Sequence, residues 1–187
     1  MDADEVMKKM MDGNARFVEG VRKQYDLVAR RKELLDGQHP FATVLTCSDS
    51  RVRPEFIFDT SIGDLFNIET AGNVVDSVAL GSIEYGVEHL KTPVLMVLGH
   101  TKCGAVTACC KLQGELAGNL GDIMKKIEPA ALKKNKEIDP AIDENMLCVK
   151  ECMLKNSPII KKFADEGKVK IVLAKYILET GEVRVLE

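Results

Sequence analysis

The chain has 187 residues, 45% of them hydrophobic and 29% charged, with a formal net charge of -3. That length suits a single domain spanning residues 1–187 with a sizeable core, and its evenly mixed acids and bases offer no basic face to nucleic acid. No apolar stretch approaches the roughly 20 residues that a membrane span needs, and the acidic start "MDADEVMKKMMDGN" lacks the apolar run of a signal peptide. A cytoplasmic protein with no membrane or nucleic-acid partner is expected.

Residues 1–36 read as helices without a strand. In "VMKKMMDGNARFV", Val6, Met10 and Phe17 join Met7 and Met11 on a broad apolar face. That face either packs locally or belongs to an arm that grips a partner subunit. Aliphatic, β-branched runs bounded by turn residues follow at "FATVLT" (41–46), "DLFNIE" (64–69), "PVLMVLG" (93–99) and "KVKIVLAKYIL" (168–178), and each predicts a buried strand. "EVRVLE", after the Thr180-Gly181 turn, alternates like a hairpin return. Helical spacing marks residues 76–90, with Asp76 or Ser77 as cap, and then 103–112 and 144–156. Residues 113–140 are polar with a helical middle. Strands alternating with helices predict an α/β fold. Its mostly parallel central sheet is flanked by helices, with an N-terminal helical arm and a C-terminal hairpin strand.

In such sheets ligands gather at the carboxyl ends of the strands, and two strand ends here carry reactive side chains. "TCSDSRVRPE" presents Cys47, Asp49 and Arg51 at i, i+2 and i+4 after the first strand, and "GHTKCG" presents His100 and Cys103 after the third. A parallel sheet brings both motifs to the same edge. Two thiolates and an imidazole suit zinc, and three protein ligands leave the open fourth position of a catalytic site. A water bound there ionises near neutral pH. Asp49 is placed either to close onto the metal as a fourth ligand or to accept a hydrogen bond from its water, and Arg51 to hold that carboxylate in a bidentate pair. Other readings of "GHTKCG" fail on missing residues. A phosphate loop needs Lys-Ser/Thr after the second glycine, where Ala105 and Val106 stand, and a thioredoxin-like site needs C-x-x-C.

At these residues the sequence resembles the β-class carbonic anhydrases. It has "CSDSRV-x-PE" at 47–55, "GDLF" at 63–66, "AGN" at 71–73, "GSIEY" at 81–85 and "LGH-x-x-CGAV" at 98–106. The likeness runs from "GNARFVEG" (13–20) to "YILETGEVRVL" (176–186). The resemblance implies zinc held by Cys47, His100 and Cys103, with Asp49 and Arg51 as the catalytic dyad. It implies reversible hydration of carbon dioxide to bicarbonate and a proton, by attack of zinc-bound hydroxide. It also implies a homodimer with N-terminal helices laid across the partner, or a homotetramer made of two such dimers. Hydrolases of carbonyl sulfide or carbon disulfide share this ligand set, and a non-catalytic zinc-bearing oligomer or bicarbonate-binding module is a third possibility. Three positions depart from the family pattern. Glu69 stands before "AGN" where an arginine is common, no glutamine precedes Cys47 in "HPFATVLTC", and Ile177 follows the late tyrosine in place of an aspartate. A carboxylate at 69 would repel the anion that the arginine helps to bind in one subclass.

The remaining reactive side chains read as structural. The other four of the six cysteines, Cys109, Cys110, Cys148 and Cys152, are expected to pack or to be partly exposed thiols, since a reducing compartment argues against disulfides. His89 reads as a helix-surface or packing residue, His39 as a loop residue, and Glu84 as a structural carboxylate.

Overall fold

The structure is a computed structural model that describes residues 1–114 and 116–186. Helices α1 (Ala3–Glu19) and α2 (Leu27–Glu33) lead into strand β1 (Ala42–Cys47), the short helix α3 (Pro54–Ile57) and strand β2 (Leu65–Thr70). Then come helix α4 (Ser77–Glu84), strand β3 (Val94–His100) and four helices: α5 (Gly104–Lys111), α6 (Gly118–Lys133), α7 (Ile138–Asn156) and α8 (Pro158–Asp165). Strands β4 (Lys170–Tyr176) and β5 (Val183–Val185) complete the chain.

The five strands form one sheet in the order β2-β1-β3-β4-β5. The first three pairings are parallel and only β5 runs antiparallel to β4, so the fold is the mostly parallel sheet with a terminal hairpin that the strand runs predict. Alternation sorts the side chains. Val44, Val94, Met96 and Leu98 belong to one apolar cluster, with Val6 and Met10 of α1 and Phe58 after α3. Leu45, Leu95 and Val97 belong to a second, with Ile83 of α4, Met146 and Met153 of α7 and Ile160 of α8. Both faces of the sheet are therefore covered, as parallel strands buried on two sides require.

Helix α1 is capped at both ends. The Asp2 carboxylate accepts from the Asp4 and Glu5 amides while Glu5 reaches back to the Asp2 amide, and Gly20 closes the other end in the left-handed region. Its apolar face is spent on its own chain, since Val6 and Met10 are fully buried. By contrast α2 buries none of its residues.

Three helical details lay beyond the sequence pattern. The predicted helix over 76–90 is α4, capped by the Asp76 carboxylate on the Ala79 amide, and it loosens into a π-type turn over Tyr85–His89. Helix α7 starts at Ile138 rather than 144, with Pro140 in its first turn, where a missing amide proton costs nothing. Helices α3 and α8 each begin on a proline, Pro54 and Pro158, and both are too short to show a hydrophobic period.

Candidate metal centre

The chain passes from β1 to β2 on one side and then crosses to β3 on the other, so the order reverses beside β1. Ligands of open α/β sheets sit in the crevice at such a switch, outside the carboxyl ends. Cys47 is the last residue of β1, His100 is the last of β3, and Cys103 caps α5. Lys102, at φ 55°, turns the chain so that His100 and Cys103 face one point.

The ligating atoms of Cys47, His100 and Cys103 lie within 4.8 Å of one another, and all three residues are buried. The two sulfurs are 4.0 Å apart. His100 Nδ1 is 2.9 Å from the Thr101 carbonyl oxygen, which can only accept, so Nδ1 carries the proton and Nε2 presents its lone pair. That Nε2 is buried without a hydrogen-bond partner among the described residues. An orphaned imidazole nitrogen beside two thiols is costly in a core, and a metal ion answers it.

The thiols point the same way. The Cys103 thiol, first, and the backbone amide of Gly72, 3.3 Å from the Cys47 sulfur, hold the Cys47 thiol well below its usual range. Its thiolate in turn pushes the Cys103 thiol far above the usual range. One proton is thus shared, and both sulfurs ionise together only with a cation between them. Soft sulfur with borderline nitrogen is a donor set that fits zinc.

Asp49 lies beside this cluster with Oδ2 3.9 Å from His100 Nε2. Arg51 Nε donates to its Oδ1 at 2.9 Å and Nη2 to Oδ2 at 2.8 Å, and the Arg51 amide adds a bond to Oδ1 at 3.0 Å. The guanidinium holds the Asp49 carboxyl at about 2, well below the usual carboxylate range. Both carboxylate oxygens are therefore committed to Arg51.

The backbone partners of the site were invisible to motif reasoning. The Gly72 amide reaches the Cys47 sulfur because Gly72 adopts φ 69°. A Cβ there would lie 2.8 Å from Ile127 Cδ1 and 3.1 Å from Ala105 Cβ. Thr101 is held through its hydroxyl to Glu179 at 3.0 Å, and Lys102 pairs with Glu179 at 2.7 Å. Glu69 pairs with Arg53 at 2.5 Å, so the position where an arginine is common carries a carboxylate engaged by an arginine of its own chain.

The other reactive side chains lie apart. Cys109 and Cys110 are buried and Cys148 and Cys152 half-buried, all with free thiols. His89 stacks on Tyr85 with ring centroids 5.1 Å apart, His39 is exposed, and Glu84 accepts from the Ser157 hydroxyl at 2.5 Å, tying α4 to α8.

Comparison with known proteins agrees with the geometry. The carbonic anhydrase family model matches residues 42–183. The chain is 43% identical over 141 residues to a carbonic anhydrase of Mycolicibacterium smegmatis, spanning 73% of this chain and 68% of that protein. It is 39% identical over 184 residues to carbonic anhydrase 2 of Mycobacterium tuberculosis, spanning 93% and 88%. Among solved structures it is similar to the β-carbonic anhydrase CcaA, with TM-score 0.75, 27% identity and 98% and 88% of the two chains covered. A tetrameric β-carbonic anhydrase of Sordaria macrospora aligns with TM-score 0.73 and 25% identity, covering 83% and 85%. The sheet, the cluster at its switch point and these relatives agree: the chain belongs to the β-carbonic anhydrase family.

Proposed function

We propose that this protein catalyses the reversible hydration of carbon dioxide to bicarbonate and a proton, with zinc held by Cys47, His100 and Cys103. What carries the reading is the convergence of three buried donors within 4.8 Å beside a bidentate Asp49–Arg51 pair. Zinc, when bound, supplies a Lewis acid that lets a coordinated water ionise near neutral pH.

The protein's own groups do the rest. The Thr101 carbonyl fixes the imidazole tautomer, the Gly72 amide steadies the Cys47 sulfur, and the low-dielectric surroundings strengthen both contacts. Asp49, ionised and gripped by Arg51, keeps a free lone pair on Oδ2, 3.9 Å from His100 Nε2, which would accept a hydrogen bond from an oxygen bound there and orient it. Because Arg51 engages both its oxygens, Asp49 would stay clear of a metal held by Cys47, His100 and Cys103 and would leave that metal a fourth position for water.

The protein acts as a homodimer or homotetramer. The relative of Sordaria macrospora is described as tetrameric. In this chain α2 and its flanks expose Val21, Leu27, Val28 and Leu35 by more than half, as a segment laid across a partner subunit would. Six free cysteines suit the reducing cytoplasm, and no helix among the described residues is long and apolar enough to cross a membrane.

The test is a stopped-flow indicator assay on zinc-loaded protein across pH 7 to 9. Carbon dioxide hydration is expected throughout. Its absence, or turnover of carbonyl sulfide or carbon disulfide in its place, overturns the reading.

A further inference from the structure

Beneath the metal centre, α7 sends the polar side chain of Asn145 into the core. Asn145 is 1% exposed, and its neighbours in the helix, Glu144, Met146 and Val149, are buried too. Its side-chain amide donates to the Gly72 carbonyl oxygen at 2.9 Å, across 73 residues of chain. The same Gly72, through its own amide, donates to the Cys47 sulfur at 3.3 Å. A single glycine thus joins the asparagine to the sulfur.

The geometry explains why Gly72 needs holding. It sits at φ 69° and ψ 22° in a single turn of 3-10 helix over Ala71–Asn73. The Thr70 hydroxyl brackets that turn by donating to the Val74 carbonyl at 2.6 Å, but no N-cap side chain bonds the turn's own amides. Glycine loses more conformational freedom on ordering than any other residue, and a peptide that can rotate does not hold an N–H on a sulfur. Ile127 and Ala105 wall one side of its α-carbon. The hydrogen bond from Asn145 fixes its carbonyl on another side. With carbonyl and α-carbon both fixed, rotation about the N–Cα bond is the one freedom left to the amide.

We propose that Asn145 is a positioning residue for the metal centre: by clamping the Gly72 carbonyl it keeps the Gly72 amide donating to the Cys47 thiolate. An N–H donor on a ligating thiolate withdraws charge from it and sets how much charge reaches the metal. Removing a group that hydrogen-bonds a metal ligand typically costs about 10- to 100-fold in metal affinity or activity. This inference rests on the assignment of Cys47 as a zinc ligand made above, and goes beyond it in assigning a role to α7.

The experiment compares wild type with Asn145→Ala and Asn145→Asp, the second preserving volume while replacing the donor by an acceptor. Zinc affinity is measured by chelator competition, and the thiolate-to-metal charge-transfer band is recorded on cobalt(II)-substituted protein. The expected result is zinc bound at least about 10-fold more weakly in both variants, with a shifted cobalt band. Unchanged affinity and band in folded variants would overturn the proposal even if stability falls, because a merely structural asparagine moves stability alone. Should both variants fail to fold, cadmium-substituted wild type and Asn145→Ser are compared by NMR. A scalar coupling from the Gly72 amide proton to cadmium that is present in wild type and weakened in the variant supports the clamp, and an equal coupling overturns it. Wild type that binds zinc and hydrates carbon dioxide while the Asn145 variants match it sinks this inference alone. Wild type that binds no zinc sinks the functional reading with it.

Discussion

At the scale of single residues, the site divides into groups that declare themselves in sequence and groups that do not. Cys47, Asp49 and Arg51 are packed into five positions, and His100 and Cys103 into four, because each set hangs on one strand end. Short loops make chemistry legible. Gly72, Thr101 and Asn145 act through backbone groups, or on them, and a backbone amide has no signature until its φ and ψ are known. The Asp49–Arg51 pair yields the sharpest test. Asp49→Ala removes the acceptor without touching a ligand, so zinc content measured by atomic absorption stays at the wild-type level. Hydration kcat/KM falls by roughly 100-fold or more, the usual worth of a positioned acid–base group. Unchanged turnover would show that the pair is not catalytic.

Asp59 carries the second residue-scale prediction. It lies at φ 46°, with its side chain fully buried, bound by Arg16 Nε at 2.6 Å and the Lys23 amide at 3.1 Å, and with Arg22 at 3.5 Å. Burial by itself raises the Asp59 carboxyl, but the guanidinium of Arg16 and the Lys23 amide outweigh it and hold the group below its ordinary value. A depressed carboxylate stabilises the fold above its unfolded value of about 3.9. That contribution disappears as pH falls through the lower folded value. Asp59→Asn is expected to cost about 2–3 kcal/mol at pH 7, less than a wholly buried pair because both arginines are partly in water. The gap between variant and wild type should close below about pH 4. Urea unfolding at several pH values measures both.

Elements were legible where periodicity had room to show. Strands β1, β3 and β4 are rich in aliphatic residues because nearly all of their positions are buried, whereas α3 and α8 span one or two turns and leave no period to read. Helix α1 was visible as an amphipathic helix, but what its face meets was not. The answer lies in its middle. Asn14 donates to the carbonyls of Ile57 and Gly181 at 3.1 and 2.8 Å and accepts from the Val183 amide at 2.8 Å, linking α1 to α3 and to the hairpin. Gly13 permits this approach, since a Cβ there would stand 1.8 Å from the Phe58 carbonyl oxygen. Gly13→Ala must push α1 off its seat, for the obstacle is backbone and cannot swing away. A loss of about 2–4 kcal/mol is expected, in the range of overpacking combined with strained polar contacts. Thermal unfolding of Gly13→Ala within about 1 °C of wild type would show that α1 is loosely seated.

For the molecule as a whole, the order β2-β1-β3-β4-β5 does the decisive work, because it sets two motifs 53 residues apart, Cys47 and His100, on neighbouring carboxyl ends. Parallel pairing was legible from the alternation of strands and helices, and the crevice followed. What covers the outer surface was not, since exposed apolar residues read the same in sequence as buried ones. Val78 is 76% exposed on α4 and Leu35 77% exposed beyond α2, and Leu27 and Val28 stand out from α2 by more than half. Apolar side chains gathered on a helix that buries nothing of its own are what the association surface proposed above would use. Removing each from water contributes about 1.5–3 kcal/mol when complete, so two such side chains suffice to shift an assembly. The double variant Leu27→Asp, Val28→Asp leaves the monomer core untouched, because neither residue is buried in it. Sedimentation velocity at micromolar concentration should find wild type as a dimer or tetramer and the double variant as a smaller species, with circular dichroism unchanged. If the variant sediments like wild type, α2 lies outside the interface and the oligomer is built on another face.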